Sequence, residues 1–298
     1  MPFSLVQPLA SIPIAAIDVE TTGASAAFGD RIIEIGIARY ENGVEIARYE
    51  RLLDPRQPIS RGVSALTGIT QAMCDGQPTF AQVVEEILPL LRGAALLGHN
   101  VRFDLSFLVR ELRRCGCDIV TATDNAPVLD TVRIARRRFG RGGNGLGALA
   151  RRLGFEPAIR HRALPDAQTA AIVLGRLLEP VGGWTMCLCD ALREQGGPIA
   201  LLPASPRQVV LPLALEEALD ERCAVMVDYL DANLMRTQRV IEPLRIRRLG
   251  GELVLIAHCR LRDDRRHFKL ERIVELKRLQ GAAVEAPELI GNNPPPLP

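Results

Sequence analysis

Ser11-Ile12-Pro13-Ile14-Ala15-Ala16-Ile17-Asp18-Val19-Glu20-Thr21-Thr22-Gly23 is the stretch on which the fold turns. Ser11 to Ala16 is an apolar run rich in Ile and Ala, the pattern of a strand buried on both faces, and its polar end opens at Asp18. Side chains two apart on a strand share a face, so Asp18 and Glu20 address one point in space. With no Lys or Arg beside them, two such carboxylates repel by a few kcal/mol at roughly 4 Å and an effective dielectric near 20. A bound cation removes that cost. Hard ions such as Mg²⁺ or Mn²⁺ take oxygen ligands, and a pair of them clamps the attacking and leaving oxygens of a phosphoryl displacement.

Two further segments supply what one strand lacks. Ala94 to Leu97 is a second short apolar run; Gly98-His99-Asn100 makes a turn, and Phe103, Phe107, Leu108 and Leu112 follow at helical spacing. Asp104 therefore falls in the first turn of a helix. His99 reads first as a turn histidine that seats this helix, and it is kept among the candidate substrate contacts. Pro165 suits the opening turn of another helix whose buried stripe is Leu164, Ala167, Ala171, Leu174 and Leu178, and Asp166 again lies in the first turn, where an anion suits the dipole. His161 sits on the loop just before. A neutral imidazole with a pKa of about 6.5 can take a proton from an attacking water at neutral pH.

Taken in this order, the segments resemble the DEDDh 3′-5′ exonucleases of the ribonuclease H-like fold, and most of all the proofreading epsilon-subunit type of bacterial DNA polymerase III. The resemblance runs from Ile14 to Leu178. It rests on Asp18-Val19-Glu20-Thr21-Thr22-Gly23, Leu66-Thr67-Gly68-Ile69-Thr70, Gly98-His99-Asn100 through Phe103-Asp104 and Phe107-Leu108, Leu129-Asp130-Thr131, and His161-x-Ala163-x-x-Asp166-Ala167. It implies two metal ions, Mg²⁺ or Mn²⁺, on Asp18, Glu20, Asp104 and Asp166, with His161 as general base. It also implies that Thr21, Thr22 and Gly23 approach the terminal nucleotide, and that Leu66 and Phe103 press on its base or sugar. Asp130 matches a frequent family acid and reads equally well as a helix N-cap. The implied activity is 3′-5′ hydrolysis of single-stranded DNA to nucleoside 5′-monophosphates, in replication proofreading or in repair. A ribonuclease of the same superfamily is the alternative, because two-metal chemistry does not need the 2′-hydroxyl.

The chain has 298 residues, 47% hydrophobic and 24% charged, with a net charge of +2; that is enough for two domains, and no single field dominates. Lysine occurs only at Lys269 and Lys277. Arginine clusters at Arg110, Arg113 and Arg114, and at Arg133, Arg136, Arg137, Arg138 and Arg141, suit either a phosphate-facing border or exposed helix faces. Gly140 to Gly147 reads as a link between two helices. The seven cysteines, including Cys115-Gly-Cys117 and Cys187-Leu-Cys189, lack zinc-site spacing and suit free thiols in a reducing cytoplasm. With neither a signal-like start nor eighteen unbroken apolar residues, a cytoplasmic protein and no membrane partner are expected.

Beyond residue 181 the texture changes. The expected organisation is a nuclease domain over 10–181, a connector over 182–213 with a short helix around Met186 to Arg193, a β domain over 214–282 and a disordered tail over 283–298. Gln208-Val209-Val210-Leu211-Pro212-Leu213 is similar to peptides that dock into the sliding clamp, which names a clamp or a DNA polymerase as a candidate partner. After a short helix from Ala214, strands are expected at Ala224 to Leu230, Arg236 to Val240, Leu244 to Arg248, Leu253 to Cys259, His267 to Leu270 and Ile273 to Leu279, with Asp231-Ala232-Asn233 and Gly250-Gly251 as turns. This segment resembles the WYL domain, an SH3-like barrel, through Glu242-Pro243-Leu244, Gly250-Gly251-Glu252-Leu253-Val254-Leu255 and Arg266-x-Phe268-x-Leu270-x-Arg272-Ile273. The resemblance implies a ligand pocket at Arg266, Phe268 and Arg272. It also opens a rival reading of the whole chain, a ligand-sensing regulator in which the barrel is the working part. The fold class expected is α/β: a ribonuclease H-like mixed five-stranded sheet flanked by helices, plus a small SH3-like β-barrel.

Overall fold

The structure is a computed structural model that describes residues 3–157, 161–201, 211, 213–231, 235–249 and 252–283. The tail beyond 283, most of the clamp-like peptide and the turns at 232–234 and 250–251 lie outside the described residues.

The first sheet is built from β1 (Ile14–Thr21), β2 (Ile32–Glu41), β3 (Val44–Leu52), β4 (Ala95–Gly98) and β5 (Val128–Asp130) in the order β3-β2-β1-β4-β5. β1 runs antiparallel to β2 and parallel to β4, so the sheet is mixed, with β1 at its centre. Successive residues of β1 enter opposite cores, Ile14 and Ala16 on one face and Ala15, Ile17 and Val19 on the other, as the period of two requires. The helices are α1 (Arg61–Thr67), α2 (Gln71–Cys74), α3 (Phe80–Leu91), α4 (Arg102–Arg114), α5 (Ile119–Ala122), α6 (Thr131–Phe139), α7 (Leu146–Arg152) and α8 (Ala163–Leu178). Phe80, Val83 and Ile87 of α3 and Phe107 and Leu108 of α4 fill the first core, while Ile134, Leu149, Leu174 and Leu177 from α6, α7 and α8 fill the second. The glycine-rich stretch expected to link two helices joins α6 to α7.

The start of α8 is fixed by two devices on β2. A Cβ on Gly36 would stand 2.2 Å from Leu164 N, so glycine alone lets the helix approach this closely. Beside it, fully buried Glu34 accepts from Arg162 Nε at 2.9 Å, from Arg162 Nη2 at 2.6 Å and from the Ala163 amide at 2.9 Å.

After α9 (Leu188–Glu194), the C-terminal unit opens with α10 (Leu213–Asp220) and continues with β6 (Cys223–Leu230), β7 (Arg236–Leu249), β8 (Glu252–Cys259), β9 (Asp264–Lys269), a 3-10 turn (Leu270–Arg272) and β10 (Ile273–Ala283). The strands form an antiparallel sheet in the order β10-β6-β7-β8-β9. Two expectations change here. The segments Arg236 to Val240 and Leu244 to Arg248 are one strand: Pro243 sits where the β7–β8 register shifts, so its missing N–H breaks no regular ladder. The expected barrel is an open sheet among the described residues, because the turn at Leu270–Arg272 carries the chain away from β9 and β10 pairs with β6. No described helix is long and apolar enough to cross a membrane.

Candidate active site

Asp18 and Glu20 continue the row of Ile14 and Ala16 toward the face that α8 covers. Asp104 enters from the first turn of α4, only 3% exposed, and its Oδ1 accepts from the Val19 amide at 3.1 Å, which ties the helix to β1. Asp166 lies in the first turn of α8, and its Oδ2 accepts from the His161 amide at 3.0 Å. His161 holds φ 58°, a left-handed conformation rare for a residue with a side chain. Ligand atoms of Glu20, His161 and Asp166 all lie within 4.8 Å of one another.

These five groups line one cavity of about 330 Å³. Thr21, Gly23, Leu66, His99 and Phe103 line it too. Thr22 does not: it is buried, and its hydroxyl accepts from the Arg31 amide at 2.9 Å and from Gln57 Nε2, bracing the loop after β1. His99 Nδ1 lies 2.8 Å from Thr131 Oγ1, which joins the turn to α6. Asp130 caps α6, accepting from the Val132 amide at 2.9 Å, and also holds the Asn100 amide at 3.1 Å.

The electrostatics are those of a site short of positive charge. Asp18 and Glu20 keep some exposure through the cavity mouth, yet they sit deep enough for burial to dominate their titration. The Asp18 carboxyl is pushed well above the usual carboxylate range by burial and by repulsion from Asp104, Glu20 and Asp166. Glu20 is pushed up to about 8 by burial and the nearby Asp166. Asp104 is raised chiefly by burial, and Asp130 is raised to about 6 for the same reason. Burial lowers His99 to about 4, so it stays neutral. Among the described residues no Arg or Lys forms an ion pair with Asp18, Glu20 or Asp104. Clustered hard oxygen donors with one imidazole fit divalent ions such as Mg²⁺ or Mn²⁺.

Other candidates fall elsewhere. Phe268 is 1% exposed and packs edge-on against Tyr229 in the core of the second sheet; Arg266 is exposed on β9 and Arg272 is half-buried at the end of the 3-10 turn. The α6 arginines brace neighbours: Arg133 donates to Gly196 O at 3.0 Å, Arg136 to Glu216 at 3.2 Å and Arg138 to Leu177 O. Cys187, Cys189 and Asp190 also bring three ligand atoms within 4.8 Å, but none of them lines the carboxylate cavity. Sequence reasoning missed Glu34 and Arg162, although Glu34 inside Ile32-Ile33-Glu34-Ile35 is a polar residue in a run that must be buried.

Comparison with known proteins agrees with this geometry. A family model described as "Exonuclease" matches residues 15–174, and one described as "WYL domain" matches residues 212–278. The 3′-5′ exonuclease DinG of Bacillus subtilis is 37% identical over 164 residues, 55% of this chain and 17% of its own length. A DNA polymerase III subunit epsilon-like protein of Rhodobacter capsulatus is 38% identical over 176 residues, covering 57% of this chain and 24% of the relative. DNA polymerase III PolC-type of Halalkalibacterium halodurans is 31% identical over 213 residues, 71% of this chain but 14% of the relative. The chain thus spans a quarter or less of the length of these curated relatives. Among solved structures, E. coli Exonuclease I in complex with a dA16 oligonucleotide aligns with TM-score 0.51 at 17% identity, covering 83% of this chain and 55% of that one. A 3′-exonuclease that recognises the histone mRNA stem-loop aligns with TM-score 0.51 at 18% identity, covering 68% and 76%. At such identities the likeness concerns the fold. With the exonuclease match spanning more than half of the chain, the protein belongs to the exonuclease family of DEDDh 3′-5′ type, a nuclease hydrolase that also carries a WYL domain.

Proposed function

We propose that this chain removes nucleotides from the 3′ end of single-stranded DNA, releasing nucleoside 5′-monophosphates, in proofreading or repair. The observation that carries the reading is the convergence of Asp18, Glu20, Asp104, His161 and Asp166 on one cavity from β1, α4 and the start of α8. Exonucleases of this family generally use divalent ions, and Asp18, Glu20, Asp104 and Asp166 would hold two of them, Mg²⁺ or Mn²⁺, which would stabilise charge on the attacking and leaving oxygens. His161 takes the proton of the attacking water as its general base. Its placement suits that task because Asp166 Oδ2, accepting from the His161 amide, holds the backbone where the residue lines the cavity. Leu66, exposed on α1, and Phe103 bear on the terminal base or sugar; Thr21 and Gly23 line the floor.

The test is a 5′-labelled oligomer incubated with and without Mg²⁺. A ladder that shortens from the unlabelled end only with the metal supports the reading, and uncut strands under Mg²⁺ and Mn²⁺ alike would falsify it. Matched DNA and RNA oligomers run side by side decide the sugar. The clamp or polymerase partnership remains a proposal for the segment Gln208 to Leu213.

A further inference from the structure

The carboxylate cavity is not closed by the nuclease domain alone. Leu213 at the start of α10, Leu270 in the 3-10 turn and Ile273 at the start of β10 line it together with Asp18, Glu20 and His161. A second space of about 450 Å³ continues from it along the domain boundary, sharing Leu66, His99, His161 and Asp166 and the same three apolar residues. The C-terminal unit is seated there by several contacts. Arg136 Nη2 meets Glu216 Oε2 at 3.2 Å, Arg141 Nη1 meets Asp220 Oδ2 at 3.4 Å, and Ala24 of the nuclease domain packs against the core of the second sheet.

Charge decides what such a cleft can hold. Among the described residues no arginine or lysine lines either space. Beyond the scissile phosphate the described lining offers apolar contact with bases and sugars rather than phosphate neutralisation. Base faces are free for such contact only where the strand is unpaired; in a duplex they are stacked on their neighbours. We propose that the WYL domain supplies one wall of the catalytic cleft, an apolar face of Leu213, Leu270 and Ile273 that grips the unpaired nucleotides at a 3′ end and so sets selectivity for unpaired over paired termini. This rests on the exonuclease reading above and adds to it a specificity element from outside the nuclease domain.

The experiment uses the full chain, a charge-reversed variant (Glu216→Arg with Asp220→Arg) that repels α10 from Arg136 and Arg141, and the same variant with Arg136→Glu and Arg141→Glu to restore the pairing. Neither Glu216 nor Asp220 lines the cleft. Three substrates are compared under Mn²⁺: thymidine 5′-monophosphate p-nitrophenyl ester, a single-stranded oligomer, and that oligomer paired flush with its complement. In the reversed variant the oligomer KM should rise about tenfold, the value of one lost apolar side-chain contact, and the preference for the unpaired end should shrink, while ester hydrolysis holds. The charge-swapped chain should regain the parental KM. Ile273→Ser, which shortens the wall directly, should raise the oligomer KM in the same direction. Parental KM and preference in both the reversed variant and Ile273→Ser overturn the proposal. A parallel gain on all three substrates overturns it as well, since the domain would then be a plug and not a wall. No ester hydrolysis by the parent chain would instead be a failure of the exonuclease reading.

Discussion

Arg162 and Glu34 form a forked ion pair across the start of α8: the guanidinium gives Nε and Nη2 to a carboxylate that is 0% exposed, while Arg162 itself stays 35% exposed. The Ala163 amide completes the set. The pair therefore locks the entry of the helix that carries Asp166 to the strand lying beside Asp18. Its partners raise the Arg162 pKa further through the Glu34 hydrogen bond, so the guanidinium is charged at every working pH.

Removing one partner should be worse than removing both. Arg162→Ala leaves Glu34 buried without its cation, which should cost about 3 kcal/mol, the low end for a broken buried pair because Arg162 keeps contact with water. Glu34→Gln with Arg162→Met should cost less. Thermal denaturation of the three chains checks the order, and hydrolysis of the nucleotide ester should fall most in Arg162→Ala, where α8 loses its anchor.

Gly36→Ala tests the second anchor. Its new methyl would meet the backbone of Ala163 and Leu164 at 2.2–2.5 Å, atoms that cannot swing aside as a side-chain tip can. A loss of at least about 2 kcal/mol is expected, with a drop in kcat because Asp166 moves with the helix. A melting temperature and kcat equal to the parent's would show that α8 approaches less closely than described.

Asp18→Ala should abolish turnover and leave the fold intact; turnover under Mn²⁺ in that variant would refute the metal-ligand assignment. Mn²⁺ should raise the melting temperature of the parent, by about 2.7 kcal/mol of linkage at a hundredfold excess over Kd. In Asp18→Ala the shift should shrink, as a differential-scanning titration would record.

The metal-free chain should lose stability as pH rises. Glu20 is held at about 8 in the folded state, against about 4.3 unfolded, and Asp18 is raised in the same direction. A raised acid lends stability that is full below its unfolded pKa and is lost as pH climbs through the folded one. Between pH ~5 and ~8, the melting temperature in chelator should thus fall more steeply for the parent than for Asp18→Asn. Parallel curves would deny the crowding of these carboxylates.

His161→Asn should separate chemistry from backbone. Asn tolerates the left-handed conformation that His161 adopts, so the fold should hold while kcat falls by at least about a hundredfold, the usual share of a general base. Single-turnover rates across pH should also lose the limb that reports the imidazole.

Much of the nuclease half was legible because its signals are local. The apolar run before Asp18, the helical spacing after Asn100 and Pro165 inside the first turn each depend on a few neighbouring residues, and the structure puts β1, α4 and α8 there. The Glu34–Arg162 pair was not legible, since 128 residues separate its members and only Glu34 betrays itself, as a polar residue in a buried run. Pro243 misled the reading of the second sheet: proline normally ends a strand, but at a register shift it costs nothing, and β7 continues through it. Phe268 stands out in the sequence only through its motif, and its place in the core beside Tyr229 and Leu255 follows from the pairing of β9 with β8. Nothing in the sequence announced that Leu270 and Ile273 would border the carboxylates, for that contact depends on how the two units sit together.

The bracing of α8 against β1 and β2 also has a temporal side. Ribosomes deliver Asp18 and Glu20 early and Asp166 some hundred and fifty residues later, so a growing chain displays an acidic pocket with one side missing until α8 emerges and docks. During that interval Asp18, Glu20 and Asp104 lack both the carboxylate of Asp166 and the imidazole of His161. The fourth carboxylate thus joins the other three only once α8 has been made.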